Sequence, residues 1–459
     1  MTTDSQPYRA ALEVAVREAI SWLDGMPTRS VHPHKDPDEI RDSFHDSLAE
    51  VGIPPTEVIE RLAQLGEPGL MGKGSGRFFG WVIGGTLPAA LGADWLVSAW
   101  DQNSRANYLS PTAVTLEEIA GEWLLDLLHL PKDCAVGFPT GGTMANFSGL
   151  MCARYKLLKD LGWDVNEKGV NGAPAIQVLV GQDRHVSVDL ALRYLGFGLP
   201  TVVDDDDEGR IDIAALRKIF ESSDVPTILC LQAGNVHSGS FDNFAEAIEI
   251  ARQHNSWVHV DGAFGLWALA SAEFDSITAG LNLADSWATD AHKTLNVPYD
   301  CGISIVKDSQ VSKGAFTVDA GYLFDYAAPH LQPSDKVVEF SRRARGVPVW
   351  AALQSLGRTG VVSLVEGLVH NAQWFAQELL TIPGCQILND VVFTQVCFAF
   401  ESDERTLAIG NALMANDSVW ISGSHWKGKQ VLRISVSNWS TDQEDLETTV
   451  AAVRLAGQN

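Results

Sequence analysis

The feature that most constrains the fold of this chain is the alternation of helical and strand-like patterns between residues 115 and 310. Helical periodicity covers residues 115–128, 143–159, 187–194, 212–220 and 243–253. Short apolar runs lie between these segments, at residues 176–180, 227–231, 257–260 and 302–306. Continuously apolar strands that alternate with helices are typical of a mainly parallel sheet with helices on both faces. The pattern therefore predicts an α/β fold.

The segments on either side of this region predict two further parts. Residues 1–76 read as helices interrupted by proline-rich loops, so we expect an N-terminal helical segment before a large domain over residues 77–345. Residues 346–459 predict a small α+β domain. Its expected elements are helices over 349–380 and 405–415 and strands over 394–400 and 430–436. Thr441 and Glu444 have the spacing of a capping box before a final helix.

The charge balance argues against two classes of partner. The 459 residues include 58 Asp and Glu against 33 Lys and Arg, a formal net charge of −25. A surface this acidic repels nucleic-acid phosphates and anionic lipids, so we expect neither nucleic acid nor a membrane as partner. The acidic run at 204–208 predicts a solvated turn rather than a metal site, because consecutive carboxylates cannot all converge on one ion.

The cysteines and the hydropathy pattern bear on the compartment. The six cysteines include no C-x-x-C pair, which predicts free thiols in a reducing compartment, the cytoplasm. Residues 1–10 are polar and lack the apolar stretch of a signal peptide. The apolar segment 81–100 is interrupted by Pro88 and Asp94, so it predicts a buried segment rather than a membrane span.

A lysine motif carries the strongest chemical signal. Residues 285–293 read Asp-Ser-Trp-Ala-Thr-Asp-Ala-His-Lys, which puts Asp290, His292 and Lys293 among small and apolar neighbours between strand-like segments. A lysine in such surroundings can act as the nucleophilic amine that forms a Schiff base with an aldehyde cofactor. Most lysines are surface charges, so the His-Lys pair decides nothing on its own.

An aspartate ends the apolar run that precedes this motif. Asp261 stands in the sequence His-Val-Asp-Gly-Ala at residues 259–263. A buried carboxylate needs a cationic partner, and a protonated pyridine nitrogen would supply one. The alternative interpretation is a capping aspartate at a strand end. The chain between Asp261 and Lys293 is long enough for one helix and a returning strand.

Three further motifs are individually weaker. Gly-Gly-Thr at 141–143 opens a helix and offers bare amide groups to an anion, although it lacks the Gly-Lys-Ser/Thr ending of a Walker loop. His185 is either a structural histidine or a ring that stacks on a flat cofactor. Asn235 follows another apolar strand and offers a side-chain amide to a phenolic oxygen. All the motifs lie at or just beyond the predicted C-terminal ends of strands, where open α/β sheets bind ligands.

Taken in order, these elements resemble the pyridoxal-phosphate-dependent group II amino acid decarboxylases, which have the aspartate-aminotransferase fold of type I. The resemblance begins at Arg-Phe-Phe-Gly-Trp, residues 77–81, continues through 110–117, and fades toward the C-terminus. It implies an enzyme, a carboxy-lyase that converts an L-amino acid to an amine and CO₂. It also implies a homodimer with its active sites at the subunit interface.

The resemblance assigns roles residue by residue. Lys293 would carry pyridoxal 5′-phosphate as the internal aldimine, Asp261 would pair with the pyridine nitrogen, and His185 would stack on the ring. The remaining implied contacts are Ala263 on the other ring face, Asn235 near the phenolic oxygen, Gly142, Thr143 and His292 at the phosphate with Asp290 nearby, and Trp81 and Val82 in the substrate pocket.

Two departures from the family pattern keep other reactions open. The family's His-x-Ser-x-x-Lys motif has Leu190 at its lysine position. The loop after the cofactor lysine is shortened, and residues 327–336 contain no tyrosine to protonate Cα; Tyr322 and Tyr326 precede this stretch and His330 lies within it. Because this loop decides between products in relatives, a carbon–carbon lyase, an aldehyde synthase or an aminotransferase of the same fold stays an alternative.

Two questions stay open at this level. An aminotransferase would need an arginine for the α-carboxylate, and Arg433 is either that residue or a cation that packs domains together. A non-enzymatic protein that kept the fold is a third class, against which Lys293 and Asp261 argue.

The sequence favours an aromatic or apolar substrate over glutamate. The observations behind this expectation are Trp81, the total of 14 tryptophans and the lack of an obvious cationic pocket.

Overall fold

The computed structural model of the chain describes residues 6–318 and 331–458. Tyr322, Tyr326 and His330, which the sequence analysis considered as proton donors, lie outside the described residues. Within the described ranges, no helix has the length and apolarity needed to cross a bilayer.

The centre of the molecule is a sheet that has seven strands in the described residues. The strands are β1 (Ala135–Gly137), β2 (Gln177–Gly181), β3 (Thr201–Val203), β4 (Thr227–Gln232), β5 (Ser256–Asp261), β6 (Ser286–Asp290) and β7 (Gly302–Val306). They are arranged in the order β1-β7-β6-β5-β4-β2-β3. The strands from β6 to β3 in this order pair in parallel, whereas β7 is antiparallel to both β6 and β1. The prediction of a mainly parallel sheet in an α/β fold is confirmed.

Helices cover both faces of this sheet. The helices in residues 6–318 are α1 (Gln6–Asp24), α2 (Pro37–Phe44), α3 (Pro55–Gly66), α4 (Pro88–Trp100), α5 (Pro111–Leu127), α6 (Gly142–Asp160), α7 (Val165–Lys168), α8 (Val186–Tyr194), α9 (Ile213–Glu221), α10 (Phe244–Arg252), α11 (Asp275–Thr278) and α12 (Ser309–Phe316). The strands β4 to β7 are almost entirely buried, because apolar clusters lie on both sides of the sheet. Such burial explains why their sequences are apolar without alternation.

The C-terminal part has its own small sheet. After the long helix α13 (Gly346–Leu379), four strands are arranged in the order β10-β11-β9-β8 and all pair antiparallel. They are β8 (Gln386–Ile387), β9 (Gln395–Ala399), β10 (Ser422–Trp426) and β11 (Lys429–Ser435), with helices α14 (Asp403–Met414) and α15 (Gln443–Ala456). Gly357 interrupts α13 with φ of 61°, a left-handed value that favours glycine. The division at residues 76 and 345 stays a prediction.

The predicted capping box of the last helix is wrong by one residue. Asp442, not Thr441, is the N-cap of α15, and its carboxylate accepts from the amide of Asp445, whose own carboxylate accepts from the Asp442 amide in return. The hydroxyl of Thr441 instead donates to the carbonyl oxygen of Gly76, 2.9 Å away. A contact between distant parts of the chain therefore removes Thr441 from a local role that its spacing with Glu444 permits.

Candidate active site

A cavity of about 320 Å³ opens at the C-terminal ends of β1, β2, β5 and β6. Its position follows from the topology, because the loops after parallel strands all leave the sheet at this edge. The lining brings together six residues that the sequence analysis assigned to the cofactor. These are Gly142, Thr143, His185, Ala263, His292 and Lys293, and Asp290 lies with them.

Lys293 is in a short turn that follows β6. Its Nζ lies 3.0 Å from Oδ2 of Asp290, the last residue of that strand, and only 19% of the lysine side chain is exposed. The other carboxylate oxygen of Asp290 lies 3.5 Å from Nε2 of His292. A primary amine is therefore held by a buried carboxylate at the edge of a cavity.

The turn that carries Lys293 is itself held by a buried asparagine, Asn296. Asn296 has φ of 54°, and its side-chain amide donates to the carbonyl oxygens of Lys293, Thr294 and Ser437 at 2.8–3.2 Å. Its Oδ1 accepts from the amides of Gly85 (2.6 Å) and Trp439 (3.1 Å). One side chain thus joins the lysine turn to an N-terminal and a C-terminal segment.

The N-terminus of α6 forms one end of the cavity. The amides of Gly142, Thr143 and Met144 precede the first bond of this helix, from the Ala145 amide to the Gly141 carbonyl oxygen, and no side chain of the described residues caps them. Unpaired amides and the positive end of the helix dipole together bind anions. A Cβ at Gly142 would lie 2.8 Å from Asp290 Oδ2, so the close approach requires glycine.

His292 faces the same end. Its Nδ1 accepts from the amide of Cys301 at 3.1 Å, and its ring stacks on Tyr299 with centroids 4.1 Å apart. Burial lowers the pKa of His292, against the charge of Asp290, which raises it. The ammonium of Lys73 lies 4.1 Å from the centroid of the Tyr299 ring, a cation–π arrangement.

Asp261 ends β5 beside the cavity. Its Oδ1 accepts from the amide of Ala263 at 3.1 Å and its Oδ2 accepts from Nδ2 of Asn146 at 2.9 Å. His185 caps α8: its Nδ1 accepts from the amide and the hydroxyl of Ser187. Burial lowers the pKa of His185, while the charge of Asp261 raises it, so the imidazole is neutral at neutral pH.

Besides Asp261, which lies next to the cavity, three predicted residues do not line it. The Oδ1 of Asn235 accepts from the amides of His237 and Ser238, which ties Asn235 into the loop after β4. Trp81 and Val82 both have left-handed backbone conformations, with φ of 50° and 56°. Their segment nevertheless approaches the site, because Gly84 is so close to the Lys293 carbonyl oxygen that a Cβ there would overlap it. The roles predicted for these three residues stay predictions.

Arg433 on β11 is buried without an acidic partner among the described residues. Its Nη1 donates to the carbonyl oxygen of Val236 at 2.8 Å, and its Nε has no hydrogen-bond partner there. Burial lowers the pKa of Arg433. The charge of Arg433 in turn lowers the pKa of His185 and of His237, so it acts on the same region as the cavity.

Several residues of the site have no individual role predicted from the sequence. Thr140, Gly141, Met144 and Ser187 line the cavity, and Asn146 contacts Asp261. All five lie within three residues of the Gly-Gly-Thr motif at 141–143 or of His185, so proximity to these motifs is the available signal. Asn296 had no such signal, because its partners are spread over the chain.

The chemistry of these groups fits pyridoxal phosphate. The uncapped helix end suits a phosphate, Lys293 supplies an amine for an aldehyde, and Asp261 is a buried carboxylate with no ion pair in the described residues. A protonated pyridine nitrogen is a cation that would complete this last environment.

Comparison with solved structures identifies the fold. The Oryza sativa TDC crystallised with PLP and tryptamine aligns with a TM-score of 0.92 at 21% identity, over 100% of this chain and 99% of that one. Mouse CSAD aligns with a TM-score of 0.89 at 22% identity, over 99% and 98%. The fold of this chain is thus that of the pyridoxal-phosphate enzymes of the aspartate-aminotransferase type.

Comparison of sequences identifies the family. The Homo sapiens protein named acidic amino acid decarboxylase GADL1 is 25% identical over 450 residues, which cover 92% of this chain and 85% of the relative. The Bos taurus protein of that name is also 25% identical, over 79% of this chain and 70% of the relative. Residues 37–401 match the pyridoxal-dependent decarboxylase conserved domain. The chain therefore belongs to the pyridoxal-dependent decarboxylase family, and it is an amino acid carboxy-lyase that uses pyridoxal phosphate.

Proposed function

We propose that the cavity around Lys293 is the place where this enzyme removes the carboxyl group of an L-amino acid. The observation that carries the proposal is the position of the Lys293 amine, between the uncapped N-terminus of α6 and the residues that follow Asp261. An anion site and an amine in one small cavity, with an isolated carboxylate beside it, match the three functional ends of pyridoxal phosphate.

When bound, pyridoxal phosphate supplies an electron sink for the pair of electrons that the departing carboxyl group leaves behind. In the proposal, Lys293 would attach the cofactor, and Asp290 holds the lysine side chain at the edge of the cavity. The amides of Gly142 and Thr143 bind the phosphate. Asp261 would face the pyridine nitrogen, and a carboxylate at that place would favour the protonated form of the nitrogen. His185 presents a neutral ring beside Ala263.

The first candidate substrate is an aromatic or apolar amino acid. Trp81 is 54% exposed, and its ring packs against those of Phe78 and Trp420 with centroids 6.1 and 5.2 Å away. Phe78 and Trp420 are themselves buried, so the exposed apolar surface here is the ring of Trp81, on the segment that approaches Lys293. Aromatic surfaces of this kind bind flat or apolar side chains through offset contacts.

The second candidate is an acidic amino acid. Arg433 is a buried cation without an acidic partner in the described residues, and such a group favours an anionic ligand. Lys73 is a further cation with no ion pair in the described part of the chain. The sequence relatives reported above are named acidic amino acid decarboxylases. One cation can receive the α-carboxylate, and an acidic substrate would use the second.

The experiment is a substrate panel with product analysis. The purified enzyme is loaded with pyridoxal phosphate and given each of the protein amino acids, and CO₂, amine, aldehyde and oxygen consumption are measured. We expect CO₂ and a primary amine from one substrate class. Aldehyde with oxygen consumption, or a 2-oxo acid, would contradict simple decarboxylation; tryptophan or tyrosine against glutamate or aspartate separates the two candidates.

Lys293→Ala tests the site itself. We expect the variant to lose turnover and to lose cofactor that borohydride reduction traps on the protein, because no amine remains to attach it. Lys313→Ala, at an exposed lysine on α12, is the matched control and should keep both. Trapped cofactor at the wild-type level in Lys293→Ala would refute the assignment.

We further propose a cytoplasmic homodimer with active sites at the subunit interface. Helix α1 exposes a row of apolar side chains, namely Leu12, Val16, Ile20 and Leu23. A cleft of about 750 Å³ lies beside it, lined among others by Met26, Trp95 and Trp439. Exposed apolar patches of this extent favour a partner, here a second copy. Sedimentation analysis at low protein concentration should give the dimer mass, and a monomer with full activity would contradict it.

The cytoplasmic part of the proposal is supported by the cysteines. All six are free thiols, as is typical of proteins in a reducing compartment.

A further inference from the structure

A chain of hydrogen bonds begins at the Asp261 carboxylate and continues through Asn146 and His259. Nδ2 of Asn146 is 2.9 Å from Asp261 Oδ2, and Oδ1 of Asn146 is 2.9 Å from Nε2 of His259. Nδ1 of His259 is 2.8 Å from Oγ of Ser286, which accepts from Nε1 of Trp257 at 2.9 Å. All five side chains are buried, and Asn146 and His259 are completely so.

The direction of every hydrogen bond in this chain is fixed. The Asp261 carboxylate only accepts, so the Asn146 atom that faces it is the amide nitrogen and Oδ1 faces His259. Oδ1 only accepts, so His259 carries its proton on Nε2. Burial lowers the pKa of His259 to about 3, and the neutral ring therefore accepts at Nδ1 from the Ser286 hydroxyl.

The same amide group reaches the residue that holds His185. Nδ2 of Asn146 also donates to Oγ of Ser187 at 3.1 Å, and this hydroxyl donates to Nδ1 of His185 at 2.8 Å. Both amide protons of Asn146 are thus used, one toward Asp261 and one toward His185. No other side chain in the described residues donates to the Asp261 carboxylate.

The fit behind Asn146 is tight. Gly149, one turn along α6 from Asn146, is so near His259 that a Cβ there would lie 2.6 Å from two atoms of its ring. The ring is therefore confined between α6 and β6, and its Nε2 hydrogen points at a single acceptor, Asn146 Oδ1. An asparagine whose oxygen is held in this way cannot rotate its amide to present oxygen to Asp261.

We propose that Asn146 is a positioning residue for Asp261, and that His259 fixes the orientation of its amide. The role is to hold the Asp261 carboxylate in the orientation in which it faces the pyridine nitrogen, because the Asn146 amide donates to one of its two oxygens. The proposal rests on the proposed function, in which Asp261 pairs with that nitrogen. It gives the buried histidine of the His-Val-Asp motif a task that does not involve contact with substrate.

The test compares two cofactors on the apoprotein. One is pyridoxal 5′-phosphate and the other is its 1-deaza analogue, in which a C–H group replaces the ring nitrogen. Both retain the aldehyde and the phosphate, so they differ only at the atom that Asp261 would face. The ratio of their two Kd values measures the contribution of that atom without any measurement of turnover.

We expect the wild-type protein to bind pyridoxal phosphate more tightly than the deaza analogue, and Asp261→Ala to lose this preference. Asn146→Ala should lose about tenfold or more of the preference, since a hydrogen bond to a charged group has that weight. Ser148→Ala is the matched control: it removes a buried hydroxyl from the same helix, one that donates only to the Met144 carbonyl oxygen, and it should keep the wild-type ratio.

Each result has one meaning. Equal weakening of both cofactors in Asn146→Ala, with the ratio intact, would overturn the proposal and leave a structural role. If Asp261→Ala has the same ratio of Kd values as the wild type, Asp261 does not pair with the pyridine nitrogen. That result would overturn the proposed function as well.

Where Asn146→Ala fails to fold, the variants His259→Gln and His259→Leu provide the test. Glutamine keeps a donor to Asn146 and should keep the ratio of Kd values, whereas leucine should lower the ratio. Equal ratios in the two variants would contradict the proposal.

Discussion

Two buried polar clusters of this enzyme are built on opposite plans. In the first, Arg342 donates to both oxygens of Glu117, at 2.8 and 2.6 Å, and the Ser104 hydroxyl adds a third bond. In the second, beside the cavity, Asp261 is the one charged member of the hydrogen-bonded chain through Asn146 and His259. Both clusters are more than nine-tenths buried.

The difference separates a structural from a functional arrangement. The opposite charges of Glu117 and Arg342 cancel within the pair, so the pair has little electrostatic effect on its neighbours. Its role is to join helix α5 to residue 342. Asp261 receives only neutral donors in the described residues, and its charge stays uncompensated. A buried charge without a partner is costly, and such charges gather where a ligand supplies the partner.

The largest expected effect comes from removing that uncompensated charge. Asp261→Asn should keep cofactor attached through Lys293 but lower kcat by orders of magnitude, because a neutral amide does not hold the pyridine nitrogen protonated. Steady-state kinetics and borohydride trapping on the same preparation measure the two effects. Near-normal kcat would show that the second cluster is structural like the first, and the comparison would fail.

The next largest effect should come from breaking the ion pair. Arg342→Met leaves Glu117 buried without its partner, and we expect the free energy of unfolding to fall by about 3–5 kcal/mol. Chemical denaturation with cofactor absent measures it. The double variant Glu117→Leu/Arg342→Met should recover much of the loss, since both charges are then gone. No recovery would mean that the pair has a role beyond mutual neutralisation.

Acid should act on the second cluster through His259. The unfolded chain protonates this histidine below a pH of about 6.5, whereas the folded protein does not until about pH 3. Between these values the unfolded state binds more protons, so stability falls as pH falls. The slope of unfolding free energy against pH in this window should be steeper in the wild type than in His259→Gln. The difference in slope should correspond to the uptake of up to about one proton on unfolding. Equal slopes would contradict a neutral buried His259.

The smallest effect should come from the far end of the chain of hydrogen bonds. Ser286→Ala removes the acceptor of Trp257 Nε1 and the donor to His259 Nδ1. We expect a loss of about 1–3 kcal/mol in the free energy of unfolding, the range for unsatisfied buried groups, and a modest change in kcat. Thermal or chemical denaturation checks the first and kinetics the second. A loss of activity as large as that of Asp261→Asn would contradict this order, because Ser286 is separated from Asp261 by His259 and Asn146.

The parts of the fold that sequence could predict are those with a local cause. The apolar runs at β2, β4, β5 and β7 are buried strands, as expected. Strand β6, Ser-Trp-Ala-Thr-Asp, has no apolar run and reads as part of the lysine motif. The reversed direction of β7 has no mark in its own sequence, because direction depends on the connection from β6.

The site divides in the same way. Lys293, Asp261 and the α6 glycines are in short motifs whose chemistry is visible in sequence, and most of the predicted residues meet at one cavity. Asn146 and Ser286 contact partners that are far away along the chain, at separations of 115 residues to Asp261 and 27 to His259. Such pairings depend on the completed sheet. No periodicity or spacing in the sequence predicts these hydrogen-bonded pairs.

The contacts of Asn296 have a consequence for how the enzyme matures. Its amide bonds to the Ser437 carbonyl oxygen and accepts from Trp439, while it also fixes the turn of Lys293. During synthesis, domains form from the N-terminus onward, so the sheet that carries Lys293 is translated well before residue 437 leaves the ribosome. The lysine turn therefore reaches its final form only after the last part of the chain has docked. We therefore expect a chain that ends before residue 437 to carry the lysine motif while it lacks two of the five hydrogen-bonding partners that hold Asn296 in place.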